Sequence, residues 1–180
     1  MGCDESAVIA VIGKRSPVQM QQVSQAFKAA LGRDLVDDLR KETSGNFGRL
    51  AVDMAIPLAE FDASCVQQAV AGFGTNEGLL IEVLSGRSNM EINAIKAAYQ
   101  KLYRRDLERE VANDLAGHLR RFFIGLVQGQ RDETGQVLDI SGDVQSLYQA
   151  GEGKWGTDGT LPNIRECVLY DLEHAIRKPY

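Results

Sequence analysis

The pentad Gly72-Phe73-Gly74-Thr75-Asn76, read together with Asp114, decides how this chain is interpreted. Glycines let the main chain turn sharply, so that several carbonyl oxygens can approach one point. Ca²⁺ takes about six to eight hard oxygen ligands, and a carboxylate adds negative charge to such a set. A glycine turn before a helix is common, so the pentad alone is a weak signal for a calcium loop. Its recurrence along the chain makes it informative.

The chain matches itself without a gap when it is shifted by 72 residues. The matching residues are Gly2 and Gly74, Glu5 and Glu77, Arg15-Ser16 and Arg87-Ser88, Arg33-Asp34-Leu35 and Arg105-Asp106-Leu107, and Gly45 and Gly117. The same shift carries Glu42 to Asp114, so both copies keep an acidic residue at one distance from their glycine loop. A third loop, Lys154-Trp155-Gly156-Thr157-Asp158, follows the second. Such repeats are typical of arrays in which each unit buries its apolar face against its neighbours.

The spacing of apolar residues predicts helices almost throughout. Apolar residues share one helical face in three segments, which are Ala7, Val8, Val11 and Ile12; Val23, Ala26, Phe27 and Ala30; and Ile92, Ile95, Ala98, Tyr99 and Leu102. Ser16 and Ser88 are predicted N-caps, and Glu91 three residues after Ser88 completes a capping box. Thr75 is the predicted cap of the helix after the loop, with Glu77 in its first turn.

Composition and cysteine content predict an ordinary globular protein of a reducing compartment. The chain has 180 residues, of which 44% are hydrophobic, enough for a real core. No apolar run approaches the about 20 residues that a membrane span needs. Cys3, Cys65 and Cys167 are odd in number and scattered, which favours reduced thiols over a disulfide framework or a zinc site. We therefore expect a cytoplasmic protein.

The net charge of −5 limits the partners that the protein can bind directly. A protein that held nucleic acid or anionic lipid by itself should carry a face rich in Lys and Arg. No such cluster is present in the sequence, so no nucleic-acid partner is expected. An acidic protein can still meet an anionic membrane when divalent cations lie between them, because a bound cation is the largest local charge.

These motifs resemble those of the annexin family. The resemblance covers Gly2 to about Gly159 and rests on three stretches. They are Gly72-Phe73-Gly74-Thr75 with Asp114, Arg33-Asp34-Leu35 with Ser44-Gly45-Asn46-Phe47, and Gly151-Glu152-Gly153-Lys154-Trp155-Gly156-Thr157-Asp158. The resemblance implies an all-α fold of repeats with five short helices each. It also implies calcium-dependent binding of acidic phospholipid, without enzymatic activity.

The resemblance sets the expected domain boundaries. Residues 1–57 are expected to form one repeat without its first helix, and residues 58–128 a complete repeat. Residues 129–142 read as a polar linker, and residues 143–180 as a partial repeat with a divergent tail. The remainder of the array, including that first helix, is expected to lie outside this sequence. Uncovered faces of such an array create a risk of self-association.

The resemblance also assigns the Ca²⁺ ligands of repeat two. Main-chain carbonyls of Val70, Gly72 and Gly74 and the side chain of Asp114 are the expected protein ligands. The weaker sites implied in the other repeats would use Gly2 and Glu42 in repeat one, and Gly151, Lys154 and Gly156 in repeat three. Repeat one has Cys3 in place of the loop threonine, and the acidic partner of repeat three would fall beyond Tyr180.

A large apolar residue precedes the final loop glycine in each copy, namely Met1, Phe73 and Trp155. Trp in particular favours the boundary between membrane and water. We therefore expect Phe73 and Trp155 to contact the lipid headgroup region when Ca²⁺ is bound. The alternative is that these side chains are buried against a neighbouring helix.

Three classes of function remain open at this point. The first is a peripheral, calcium-dependent membrane-binding module acting at anionic phospholipid surfaces. The second is a helical-repeat module that binds a protein partner without calcium. An enzyme ranks far below both, because no nucleophile and base, phosphate-binding glycine loop or zinc spacing stands out in the sequence.

Overall fold

A computed structural model describes residues 3–72, 74–135 and 139–151, and these residues form ten α-helices and no β-strand. The chain divides into two compact units, residues 1–133 and residues 134–180. The helices are α1 (Glu5–Ile12), α2 (Pro17–Leu31), α3 (Leu35–Glu42), α4 (Gly45–Ala55), α5 (Leu58–Val70), α6 (Glu77–Leu84), α7 (Asn89–Tyr103), α8 (Leu107–Asp114), α9 (Gly117–Val127) and α10 (Ile140–Ala150). The predicted all-α fold is confirmed.

The sequence repeat is also a structural repeat. Each of the helices α1 to α4 has a counterpart among α6 to α9 that begins and ends 72 residues later. The local signals repeat as well, because Ser16 and Ser88 both form capping boxes, with Gln19 and Glu91 respectively. These two predicted caps are confirmed. Helix α5 has no counterpart among the residues described before α1.

Helix α5 forms the largest part of the repeat-two core together with α6 and α7. It packs through the small side chains of Ala63, Val66 and Ala69, which let the helices approach closely. At the centre, the buried Tyr99 donates a hydrogen bond from its hydroxyl to Gln67 Oε1 at 2.7 Å. Burial raises the pKa of Tyr99 to about 12, so its hydroxyl stays protonated and keeps this bond.

Repeat one has a smaller core than repeat two. Its buried apolar residues are Ile12, Met20, Leu39, Ala51 and Ala55. The predicted apolar faces behave differently in the two repeats. In repeat two, all but Leu102 of the predicted face is buried, whereas Ala7, Val11, Ala26 and Ala30 of repeat one are exposed. The difference is clearest at Val11 and Ala26, whose counterparts Val83 and Ala98 are buried in one cluster with residues of α5.

The segment after α9 is held near its start to the first residue of α7. Two hydrogen bonds join Asn89, the first residue of α7, to Arg131 in this segment. Asn89 Nδ2 donates to Arg131 O at 2.7 Å, and Arg131 N–H donates to Asn89 Oδ1 at 3.0 Å. In the second unit, α10 begins at Ile140, before the predicted linker end at Gly142, because Asp139 caps it by accepting from Gly142 N–H. None of the described helices is long and apolar enough to cross a bilayer.

Candidate metal-binding loop

The loop between α5 and α6 has the backbone that the glycine motif predicts. Gly72 has φ +114° and Gly74 has φ +88°, a region that L side chains rarely adopt. No heavy atom lies within 4 Å of a Cβ built on either residue, so backbone conformation and not crowding requires glycine here. The loop closes where Asn76 N–H donates to Ala69 O at 2.8 Å. This closure sets the start of α6 beside the end of α5.

The last residue of α8, Asp114, lies against this loop. The Thr75 hydroxyl is 2.5 Å from Asp114 Oδ2 and 2.9 Å from Asp114 O, so it donates to oxygens of this residue. The prediction that Thr75 caps α6 is therefore wrong. The cap is Asn76, whose Oδ1 accepts from Leu79 N–H at 3.1 Å, and Glu77 lies in the first turn as predicted.

Most of the residues predicted to supply oxygen ligands in this repeat are exposed at the protein surface. Gly72, Gly74 and Asp114 are exposed, and Val70 is half-buried at the end of α5. Phe73 lies outside the described residues. Within the described ranges no group of three or more His, Cys, Asp or Glu side chains could hold a metal ion. A loop site of the predicted kind needs no such group, because it takes most of its oxygens from the main chain and one carboxylate.

Repeat one reproduces part of this arrangement. Glu42 ends α3 as Asp114 ends α8, and it is exposed. Asp4 caps α1 by accepting from Ala7 N–H at 3.1 Å, as Asn76 does in α6. Cys3 occupies the position of Thr75, and the structure gives no hydrogen bond between Cys3 and Glu42, both of which it describes. Gly2 lies outside the described residues. The carboxylate of repeat one is thus not tied to its loop in this way.

Only the first residue of the predicted repeat-three site is described. Gly151 follows α10 and donates its N–H to Leu147 O at 3.1 Å. Lys154, Trp155 and Gly156 lie outside the described residues. The predictions for these three residues, including the lipid contact of Trp155, stay predictions.

An ion pair between α5 and the turn after α6 was missed in the sequence. The Asp62 side chain on α5 is buried and accepts from Arg87 Nε at 2.7 Å and from the second guanidinium nitrogen at 2.9 Å. The hydrogen bond to Asp62 raises the pKa of Arg87. This two-point contact fixes α5 against the turn between α6 and α7. The available signal was an acidic residue on the apolar face that holds Ala63, Val66 and Ala69.

The fold and the loop define a class, the helical-repeat proteins in which a glycine loop meets a carboxylate from a distant helix end. Comparison with known proteins gives the family. The annexin family model matches residues 1–54 and 61–126, and the chain therefore belongs to the annexin family.

Individual relatives agree with this assignment. Annexin A13 of Canis lupus familiaris is 43% identical over 160 residues, which are 88% of this chain and 51% of that protein. The solved structure of annexin III superimposes with a TM-score of 0.79 at 37% identity, covering 88% of this chain and 50% of that one. A calcium-bound annexin (Sm)1 gives a TM-score of 0.71 at 26% identity, covering 84% and 44%. The chain spans at most about half the length of the curated relatives that it matches.

Proposed function

We propose that this chain binds acidic phospholipid membranes in a calcium-dependent manner, through the loop of repeat two. The observation that carries the proposal is the contact between the Thr75 hydroxyl and Asp114. This hydrogen bond holds the Asp114 carboxylate against the loop that contains Gly72 and Gly74, two glycines with positive φ. Asp114 is far from this loop in sequence. Membership of the annexin family and the calcium-bound annexin (Sm)1 among the similar structures support the same assignment.

The chemistry of the donor set fits Ca²⁺. Carbonyl oxygens of Val70, Gly72 and Gly74 and the Asp114 carboxylate are the hard ligands that Ca²⁺ prefers, and flexible coordination suits a loop. The protein supplies fewer than the about six to eight oxygens that the ion takes, so positions remain for water and for lipid phosphate. When bound, the ion would supply the positive charge that lets phosphate oxygens approach an acidic protein.

Electrostatics favour a cation-mediated contact over a direct one. The chain carries a net charge of −5, and Asp114 and Glu77 add negative charge close to the loop. An anionic bilayer would repel this surface in the absence of a divalent cation. We therefore propose that binding is lost when Ca²⁺ is chelated and that the protein works in the cytoplasm, peripheral to membranes.

The other assigned residues have secondary roles in this proposal. Gly2 and Glu42 in repeat one, and Gly151, Lys154 and Gly156 in repeat three, are proposed to form weaker sites. Phe73 and Trp155 are proposed to contact the headgroup region beside the bound ion. The repeats are proposed to span residues 1–57, 58–128 and 143–180, with 129–142 between the last two. The proposal assigns binding and no catalysis.

Co-sedimentation with phosphatidylserine vesicles tests the proposal. The parent chain should pellet with Ca²⁺ and remain in solution with a chelator, and Asp114→Ala should need at least about tenfold more Ca²⁺. Glu42→Ala, the equivalent change in repeat one, is the matched control and should change the requirement much less. Circular dichroism checks that both variants are folded.

The alternative is a helical-repeat module that binds a protein partner without calcium. A folded parent chain that stays in solution with vesicles at every Ca²⁺ concentration would sink the membrane proposal and favour this alternative. Equal effects of Asp114→Ala and Glu42→Ala would instead refute the assignment of the principal site to repeat two.

A further inference from the structure

A short segment after α9 lies against the turn between α6 and α7. We call this segment the strap and define it as residues 129–133, with the sequence Gly-Gln-Arg-Asp-Glu. It begins at Gly129, which has φ +63° and donates its N–H to Leu126 O at 3.1 Å. A Cβ built on Gly129 would lie 3.4 Å from both Asn89 O and Ile92 Cγ2. The chain therefore passes close to the first turn of α7 at this point.

Arg131 ties the strap to carbonyl oxygens that follow α6. Its guanidinium group donates to Ser85 O at 3.5 Å and also to Arg87 O. The carbonyl oxygens at a helix end have no partner within the helix. A planar guanidinium group can hold two such oxygens at once, which an ammonium group on a lysine does not do in the same geometry. Arg131 thus joins the strap to the main chain of the turn.

The first residue of α7 holds the strap from its other side. The side-chain amide of Asn89 bonds to the main chain of Arg131 through both its oxygen and its nitrogen. In addition, Asn89 N–H donates to Glu133 Oε1 at 2.6 Å. A carboxylate at the start of a helix is favourable because the free N–H groups give that end a partial positive charge. Polar contacts therefore hold the strap along most of its length.

These polar contacts are not accompanied by apolar packing of the strap itself. None of its five residues has an apolar side chain. A cleft of about 320 Å³ lies between the strap and the turn, and it is lined by residues 85–88 and 131–133. Segments that are held by hydrogen bonds near solvent, with few buried apolar contacts, can open while the core remains folded. The strap should therefore exist in a closed and an open state.

The turn that holds the strap is connected to the candidate calcium loop through α5 and α6. Next to the loop, Asn76 N–H donates to Ala69 O, and at the other end of the same two helices Asp62 pairs with Arg87. Arg87 is held from two sides, because its side chain pairs with Asp62 and its carbonyl oxygen accepts from Arg131. Helix α6 has eight residues and is about 12 Å long, so the strap and the loop are separated by two helical turns.

We propose that the strap is a conformational switch linked to the calcium loop, closed more often when the loop holds Ca²⁺. The closed strap restrains Arg87, and Arg87 restrains α5 through Asp62. The proposed ligands Val70 and Gly72 lie at and just after the end of α5, so this restraint favours their arrangement in the loop. Linkage then requires the closed strap to raise the affinity of the loop for Ca²⁺ by the same factor. This inference rests on the proposed function.

Hydrogen exchange measured by NMR tests the response of the strap to Ca²⁺, because Arg131 N–H donates within the strap contacts. Without Ca²⁺, this amide should exchange at least about tenfold faster than that of Ile95 in the buried part of α7. As Ca²⁺ is raised to a plateau, exchange at Arg131 should slow by about fivefold or more. The amide of Gly32, at a helix end in repeat one, is the control and should not respond.

A double variant tests the reverse effect, that of the strap on the calcium loop. Asn89→Ala with Arg131→Lys removes the contacts of the strap but keeps its charge. The Ca²⁺ concentration at half-maximal binding to phosphatidylserine vesicles should rise by about fivefold or more. Gln100→Ala with Arg109→Lys is the matched control, since neither side chain has a hydrogen bond or ion pair within the described ranges. It should bind as the parent does, and circular dichroism checks that both variants are folded.

The outcomes separate this inference from the proposed function. Calcium-dependent pelleting of the parent would keep the proposed function, whereas an unchanged Ca²⁺ requirement of the double variant would overturn the switch. Exchange at Arg131 that does not respond to Ca²⁺, or that is no faster than exchange at Ile95, would also overturn it. An equal rise in the Ca²⁺ requirement of the matched control would do the same. A parent chain that never pellets would refute the proposed function and the linkage together.

Discussion

The Thr75 hydroxyl donates to the Asp114 carboxylate across 39 positions of sequence, at 2.5 Å. Thr75 stands at the end of the glycine loop and Asp114 at the end of α8, so the bond joins two elements that the sequence separates. The bond leaves the Asp114 carboxylate exposed but restricts the position of this carboxylate. A group that positions a ligand contributes to metal affinity without touching the metal.

Removal of the Thr75 hydroxyl should therefore weaken calcium-dependent binding. Thr75→Val keeps the size of the side chain but cannot hold Asp114, and we expect the Ca²⁺ concentration at half-maximal vesicle binding to rise by about tenfold or more. Thr75→Ser keeps the hydroxyl and should behave nearly as the parent. Equal effects of the two substitutions would show that the methyl group matters and the hydroxyl does not.

The loop glycines should be needed for their backbone conformation. Gly74 has φ +88° and open space around it, so Gly74→Ala should destabilise the fold by about 1–3 kcal/mol through backbone strain. Gly125→Ala in the exposed interior of α9 meets no atom either and should stabilise by about 0.5–1 kcal/mol. Urea denaturation measures both changes, and the same sign for the two would contradict the assignment of strain to the loop.

Arg87 should be important for the stability of the fold, because the carboxylate of its ion-pair partner Asp62 is buried. Arg87→Met leaves the Asp62 carboxylate buried without its partner, and we expect a loss of about 3–5 kcal/mol in the free energy of unfolding. Arg15→Met changes the equivalent residue of repeat one, which is exposed, and should cost less than about 0.5 kcal/mol. A small loss for Arg87→Met would mean that solvent satisfies Asp62.

The two capping boxes should differ in their dependence on pH. Hydrogen bonds from the Ser88 main chain and hydroxyl lower the pKa of Glu91 below 4.5, whereas the residue in the equivalent box, Gln19, does not titrate. A lowered pKa means that the stabilisation is present above pH 4.5 and is lost as the pH falls through the folded-state value.

The measurement is the difference in Tm between the parent and each alanine variant, followed from pH 7 downwards. The difference for Glu91→Ala should narrow below pH 4.5, and that for Gln19→Ala should stay constant until the chain unfolds. Parallel behaviour of the two variants would show that the charge of Glu91 does not contribute to its cap.

Local signals in the sequence were enough for much of the fold. The caps at Ser16 and Ser88 were predictable because a serine before an apolar run, with Gln or Glu three residues on, satisfies the free N–H groups of a helix start. The N-cap of α6 was not predictable from the sequence, because Thr75 and Asn76 are adjacent and either side chain could cap the helix. Tertiary structure decided between them, because Asp114 engages the Thr75 hydroxyl and leaves Asn76 for the cap.

The sequence by itself determined the 72-residue repeat and the pairing of a glycine loop with an acidic residue at fixed spacing. Those features depend on periodicity and on backbone freedom, which are properties of residues near one another in the chain. Only the tertiary structure decided that Asp62 pairs with Arg87 and that, among the described residues, the apolar face of α7 is buried more completely than that of α2. Both facts depend on which helix packs where, and α5 makes that difference through contacts that no local pattern specifies.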